Sequence, residues 1–164
     1  MGEIDSLKAE DGSISRENIK KILPYEDSFL YIDKVLSLDG KNITVKKEVR
    51  ADEYWAGGHF SGFPIMPGAL IVEGLGQAAT LLVRYNLRSH LDYDVLAYKI
   101  RGAKFFRPTF PGHELIFRVR LVFRFRRLYF VKGEVLRKEK IVAKAKMVLA
   151  IVDKKQFREK YSKK

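Results

Sequence analysis

Two hydrophobic periods alternate along the chain. From Ser15 to Leu23 (SRENIKKIL), apolar Ile19, Ile22 and Leu23 fall on one side of a short helix that Pro24 stops. Phe29 to Leu38 is rich in β-formers. Asp39-Gly40 then turns the chain into Ile43–Val49, where Ile43 and Val45 alternate with Thr44 and Lys46; together these predict a hairpin. Trp55 to Gly68 holds four glycines and two prolines and reads as a loop. A helix then runs from Pro67 to about Asn86, with proline at a first position that needs no N–H. It is apolar nearly all round, as expected of a helix buried on most sides. Glu73, Gln77 and Arg84, with Gly74 and Gly76, break its hydrophobicity and argue against a membrane span.

Beyond that helix the period shortens to two. Val95–Phe106, Leu115–Phe125, Val131–Leu136 and Ile141–Val152 read as strands, with Arg107–Gly112 as a turn. Within Leu115–Phe125, simple alternation sends Phe117, Val119, Leu121, Phe123 and Phe125 inward and Arg118, Arg120, Arg124 and Arg126 outward. One buried helix against antiparallel strands is an α+β layer arrangement. The boundaries expected are a loose leader over 1–14, one domain over 15–152 and a charged, fraying tail over 153–164.

Composition narrows the chemistry. The 164 residues suit a single domain, and 46% apolar residues suit a folded one. No cysteine is present, which excludes disulfides, thiolate metal sites and cysteine nucleophiles. The start is polar and acidic, without a secretory signal; with the lack of cysteine this favours a cytoplasmic protein. The net charge of +12 is uneven, with nine basic and 13 acidic residues in 1–82 against 23 and seven in 83–164. Such a balance suits an acidic or phosphate-bearing partner. Aromatics interleave with the basic residues, but alternation turns most of them into the core, against a nucleic-acid surface. Three histidines without convergent spacing predict no metal site.

One run carries most of the candidate chemistry: His59-Phe60-Ser61-Gly62-Phe63-Pro64-Ile65-Met66-Pro67-Gly68, continuing to Glu73 and Gln77. Folding alone does not ask for a glutamate among Ala69, Leu70, Ile71, Val72 and Leu75, where a carboxyl group must be paired or kept neutral. The first turn of a helix leaves backbone N–H groups unsatisfied, so the Gly68 amide is placed to polarise a carbonyl. Gln77 lies four residues after Glu73, on the same helix face, and can orient it. Histidine as base, glutamate as acid and an amide at a developing oxyanion suffice to remove a proton α to a carbonyl and expel a β-hydroxyl. A structural histidine and a merely capping or pairing glutamate remain open on the residues alone.

The run resembles the signature of the β-hydroxyacyl-[acyl carrier protein] dehydratases, in their glutamate-type form. Leu23-Pro24, Phe29–Val35, Lys104-Phe105-Phe106-Arg107-Pro108 and Pro111-Gly112 agree in order, so the resemblance covers about residues 16–152. It implies a hot-dog fold, a long helix wrapped by an antiparallel sheet. It also implies dehydration of (3R)-3-hydroxyacyl-[acyl carrier protein] to trans-2-enoyl-[acyl carrier protein] in fatty acid or related acyl-chain synthesis. His59 is then the base, Glu73 the acid and Gly68 the amide donor, supported by Gln77 and by the Ile65 carbonyl holding the His59 ring. It implies homodimers with active sites shared between subunits, in some members three dimers to a hexamer. No cofactor is expected beyond the phosphopantetheine arm of the carrier.

Phe60 and Tyr98 are candidates for the substrate tunnel, and Lys99, Arg101, Lys104 and Arg107 for docking the acidic carrier. The stripe Arg118/Arg120/Arg124/Arg126 suits either docking or a solvated face. Departures from the pattern are Ser61, Tyr25-Glu26, Arg101-Gly102 and His113; they touch substrate and carrier specificity more than reaction type. The alternative reading is an acyl-thioester hydrolase or a non-catalytic acyl-carrier-binding module.

Overall fold

The computed structural model describes residues 3–162. Helix α1 (Arg16–Ile22) begins where the Ser15 side chain accepts the Asn18 N–H, a cap that contributes about 1 kcal/mol. It buries Ile19 and Ile22. Strands β1 (Lys34–Leu38) and β2 (Asn42–Glu48) form the expected hairpin, its turn closed by Asp39 accepting the N–H groups of Lys41 and Asn42. The β-rich stretch before it is only partly strand, since residues 27–29 form a 3-10 turn.

Helix α2 (Gly68–Tyr85) is the long central helix, with Pro67 as its N-cap rather than its first residue. After it come β3 (Tyr93–Phe105), β4 (Glu114–Phe125), β5 (Leu128–Arg137), β6 (Lys140–Asp153) and α3 (Lys154–Ser162). The six strands form one antiparallel sheet in the order β1-β2-β4-β5-β6-β3. Helix α2 packs on one face, and the core fills the space between. This is the hot-dog arrangement.

Helix and sheet approach closely because two glycines let them. A Cβ on Gly74 would lie 2.7 Å from the Phe117 ring, and one on Gly133 2.7 Å from Leu75 Cδ2. Those contacts also orient the sheet. Gly133 faces α2, so Lys132 and Glu134, its strand neighbours, face away.

Four expectations change. Residues 3–14 are packed, not loose: Ile4 and Ile14 are buried, Ile14 bridges Val35, and Asp5 accepts from the Tyr85 hydroxyl. Apolar residues in that segment supply what its overall polarity hid. The tail over 154–162 is helical, tied by Arg158 to Asp94; Lys163 and Lys164 lie outside the described residues.

In β4, a register shift between Leu121 and Phe123 adds a residue, and every side chain beyond it changes face. Phe123 and Phe125 are therefore exposed, at 51% and 58%, instead of buried. The arginine stripe divides with them. Arg118 and Arg120 stay on the outer face, Arg124 lies over the buried Tyr129 ring, and Arg126 sits in the hairpin turn. Finally, polar neighbours in sequence predict an exposed His90, and it is buried.

Candidate active site

The loop before α2 is built to hold His59. The His59 carbonyl accepts the Ile65 N–H at 2.8 Å, and the His59 ring Nδ1 lies 2.8 Å from the Ile65 carbonyl. Between them Phe60 and Phe63 exchange both backbone hydrogen bonds, and Gly62 takes the left-handed conformation the tight turn requires. A carbonyl only accepts, so Nδ1 carries the proton and the neutral ring presents its Nε2 lone pair outward. The Phe60 ring stacks on the imidazole at 4.2 Å.

A second anchor holds the loop from behind. Lys47 sits at the inward parity of β2 after Ile43 and Val45, and is 1% exposed. Its Nζ meets Glu53 at 2.9 Å, and the same carboxylate accepts the Arg50 N–H and the Trp55 indole N–H. Burial pushes the Glu53 carboxyl up, but these donors outweigh it and hold the group below its usual range. The Trp55 carbonyl in turn accepts the N–H groups of Gly58 and His59. Sequence reasoning missed this pair. The signal was the lysine at an inward β position, with a glutamate six residues on.

Gly68 opens α2 beside His59. Its N–H belongs to the first turn, and Pro67 offers no side-chain cap. A Cβ there would lie 2.8 Å from the Phe105 ring, so only glycine lets backbone and ring approach so closely. His59, Ile65, Gly68, Phe105 and Arg107 line one open cavity of about 560 Å³. The Met66 N–H donates to the Thr109 carbonyl and ties this mouth to the turn after β3.

Glu73 is elsewhere. Five residues along a helix turn a side chain by about 140° and advance it about 7.5 Å, so Glu73 leaves the face that Gly68 shares with His59. It does not line that cavity. Gln77, fully buried, donates to Glu73 Oε1 at 3.1 Å and to the Phe29 carbonyl at 2.7 Å, and accepts the Tyr31 N–H at 2.8 Å. One chain thus brings together His59, Ile65 and Gly68, and separately Glu73 and Gln77.

The other candidates divide as well. Arg107 lines the cavity and donates to the Ile141 carbonyl. Tyr98, 68% exposed, and Lys99 stand on β3, while Arg101 and Lys104 border a different groove on the outer face of the sheet. Among the described residues, no three His, Asp or Glu side chains converge as metal ligands.

A family of FabA-like domains matches residues 23–146. The chain belongs to the FabA-like domain family. Among curated FabA-like relatives, the 3-hydroxyacyl-[acyl-carrier-protein] dehydratase FabZ of Campylobacter hominis is 37% identical over 147 residues, covering 86% of this chain and 99% of that one. The FabZ of Anaeromyxobacter is 35% identical over 144 residues, 85% and 91% of the two chains. Among solved structures, the dehydratase heterocomplex ApeI:P from Xenorhabdus doucetiae shares the fold at a TM-score of 0.70 and 15% identity, covering 86% of this chain and 95% of that one.

Proposed function

We propose that this chain dehydrates 3-hydroxyacyl thioesters carried on acyl carrier protein, giving trans-2-enoyl thioesters in fatty acid or related acyl-chain synthesis in the cytoplasm. The observation that carries the reading is the His59–Ile65 contact beside the Gly68 amide. It sets a free imidazole lone pair next to a carbonyl-polarising N–H in one cavity. The curated relatives, named for this reaction, support it.

In the forward direction, His59 Nε2 takes the proton from C2. The electron pair moves onto the thioester oxygen, held by the Gly68 N–H and the positive end of α2. As the carbonyl reforms, the C2–C3 double bond is made and the C3–O bond breaks. The hydroxyl leaves as water with a proton from Glu73, whose carboxyl Gln77 orients. No cofactor takes part beyond the phosphopantetheine arm that delivers the acyl chain.

Because Glu73 leaves the His59 cavity of its own chain, we assign each site two subunits, His59 and Gly68 from one and Glu73 from the other. The β3 edge supports such pairing: among the described residues it has no strand beyond it, and Tyr98, Ile100 and Phe105 are exposed along it. Arg107, at the cavity, is the cation we assign to the acidic carrier. Sedimentation of the wild-type chain distinguishes this dimer from a hexamer of three such dimers.

The test follows crotonyl-thioester hydration, the reverse reaction. His59→Ala and Glu73→Gln are each expected to lose about 100-fold or more in kcat, the share typical of a positioned acid or base. Near-wild-type activity in both variants refutes the assignment. Release of free thiol without change in the enoyl group identifies a hydrolase instead.

A further inference from the structure

The face of the sheet turned away from α2 carries two cross-strand rows. Strand register aligns Arg120, Lys132, Lys146 and Arg101 in one, on β4, β5, β6 and β3. The next aligns Arg118, Glu134, Lys144 and Lys104. With neighbouring strands about 4.8 Å apart, the first row sets four cations in about 14 Å, with no acid among them. Like charges directly opposite one another destabilise a sheet. In the second row Arg118 reaches Glu139 at 3.8 Å and Lys144 reaches Glu134 at 3.9 Å. For Arg120, Lys132, Lys146 and Arg101 no ion pair forms among the described residues. A groove of about 860 Å³ runs along these rows.

Beside the cations the same face turns apolar. The register shift in β4 brings Phe123 onto it opposite Phe130, the two rings stacked at 4.0 Å, and Phe125 pairs with Leu128. Phe123, Phe125, Val122 and Leu96 are exposed here. Arg126 and Arg127 cap the hairpin. An unpaired cation row bordered by exposed aromatic and aliphatic side chains is complementary to a bilayer interface, where apolar groups enter the acyl boundary and cations meet phosphate headgroups.

We propose that this outer face docks the enzyme on an anionic membrane surface. The contact is peripheral: no helix among the described residues is long and apolar enough to span a bilayer. A second copy of the chain does not fit the face, since an isologous contact sets the cation row against itself. Nucleic acid fits less well. Phe123 and Phe130 spend their ring faces on each other, and Val122, Leu96 and Leu128 offer no platform for bases.

The full chain is sedimented with phosphatidylcholine vesicles, with and without phosphatidylglycerol. Binding is expected only with the anionic lipid, weakening as salt rises. Each cation removed weakens it about fivefold, so Lys132→Gln/Lys146→Gln loses roughly 25-fold and the charge-reversed Glu pair more. Phe123→Ser loses affinity while keeping the salt dependence. All variants stay folded under assay conditions, the glutamine pair melting no lower than wild type because it relieves the opposed charges, and all hydrate a soluble crotonyl thioester normally, so failure here is distinct from failure of the dehydratase reading. Equal binding to neutral vesicles, or undiminished binding by the double variants, overturns the proposal. So does tighter binding to single-stranded RNA than to vesicles, a raised KM for carrier-linked substrate with vesicle binding intact, or a change of oligomeric mass in the variants.

Discussion

Replacing Lys47 by methionine keeps the aliphatic stem and removes only the ammonium, leaving Glu53 ionised and 8% exposed. Breaking one partner of a buried ion pair destabilises by about 3–5 kcal/mol. Glu53 retains two donors, the Arg50 N–H at 2.9 Å and the Trp55 indole at 3.1 Å, so the lower end applies, about 3 kcal/mol. For a chain of this size that corresponds to a fall in Tm of about 6–12 °C. Lys47→Met/Glu53→Gln removes both charges and is expected to be less destabilised than the two single changes added together. Urea unfolding of the four proteins measures the coupling. The consequence for the site passes through Trp55, whose carbonyl holds the His59 N–H, so kcat for crotonyl hydration falls while KM stays near wild type. The pair also has a pH signature. Glu53 titrates below its unfolded value, so its contribution is full above the ordinary carboxylate range and is lost as pH falls through the folded pKa. A Lys47→Met protein within about 1 kcal/mol of wild type, or additive single changes, refutes the clamp.

Gln77→Leu leaves the buried Tyr31 N–H and the part-buried Phe29 carbonyl unpaired; with about 1–3 kcal/mol for each, urea unfolding is expected to show a loss of about 2–6 kcal/mol. Crotonyl hydration by the same variant loses kcat, because Glu73 loses its orienting amide. His90 is held below the usual histidine pKa by burial first and by the Arg84 charge second, so the unfolded chain binds its proton earlier and stability falls as pH drops below about 6.5. In His90→Phe the slope of unfolding free energy against pH flattens near pH 6; an unchanged slope contradicts the assignment.

The order of helices and strands was legible because each segment keeps one period long enough to read. Ile19/Ile22/Leu23 and Ile43/Val45 are the clearest cases. What alternation could not carry was the extra residue in β4. A bulge costs the sequence nothing visible at Val122, yet it reverses every face after it and exposes Phe123. Lys47 shows the opposite failure. Its inward parity follows from the alternation of β2, but a cation at an apolar position asks for a partner outside the strand, and Glu53 lies in the following turn. The site was legible in its parts, since His59, Gly68 and Glu73 fall in one run. Their relation was not, because proximity in sequence hid the turn of the helix between Gly68 and Glu73.

That turn allows a sharper test of the shared site than single substitutions do. If Glu73 serves the partner's cavity, a His59→Ala chain has an intact glutamate to lend and a Glu73→Gln chain an intact histidine to receive it. A dimer of one of each then contains one complete site and one lacking both groups, half the wild-type number. Random reassociation of equal amounts gives half mixed dimers, so about one quarter of wild-type activity returns from two nearly inactive proteins. Subunits are unfolded together in urea, refolded by dilution, and assayed by crotonyl hydration beside each variant refolded alone. Sites complete within one chain cannot complement, because every chain in the mixture carries a lesion. Mixed refolding that yields only the average of the two variants, with mixed dimers verified by mass, removes the two-subunit site. It also returns Glu73 to a role on its own chain, as the capped partner of Gln77.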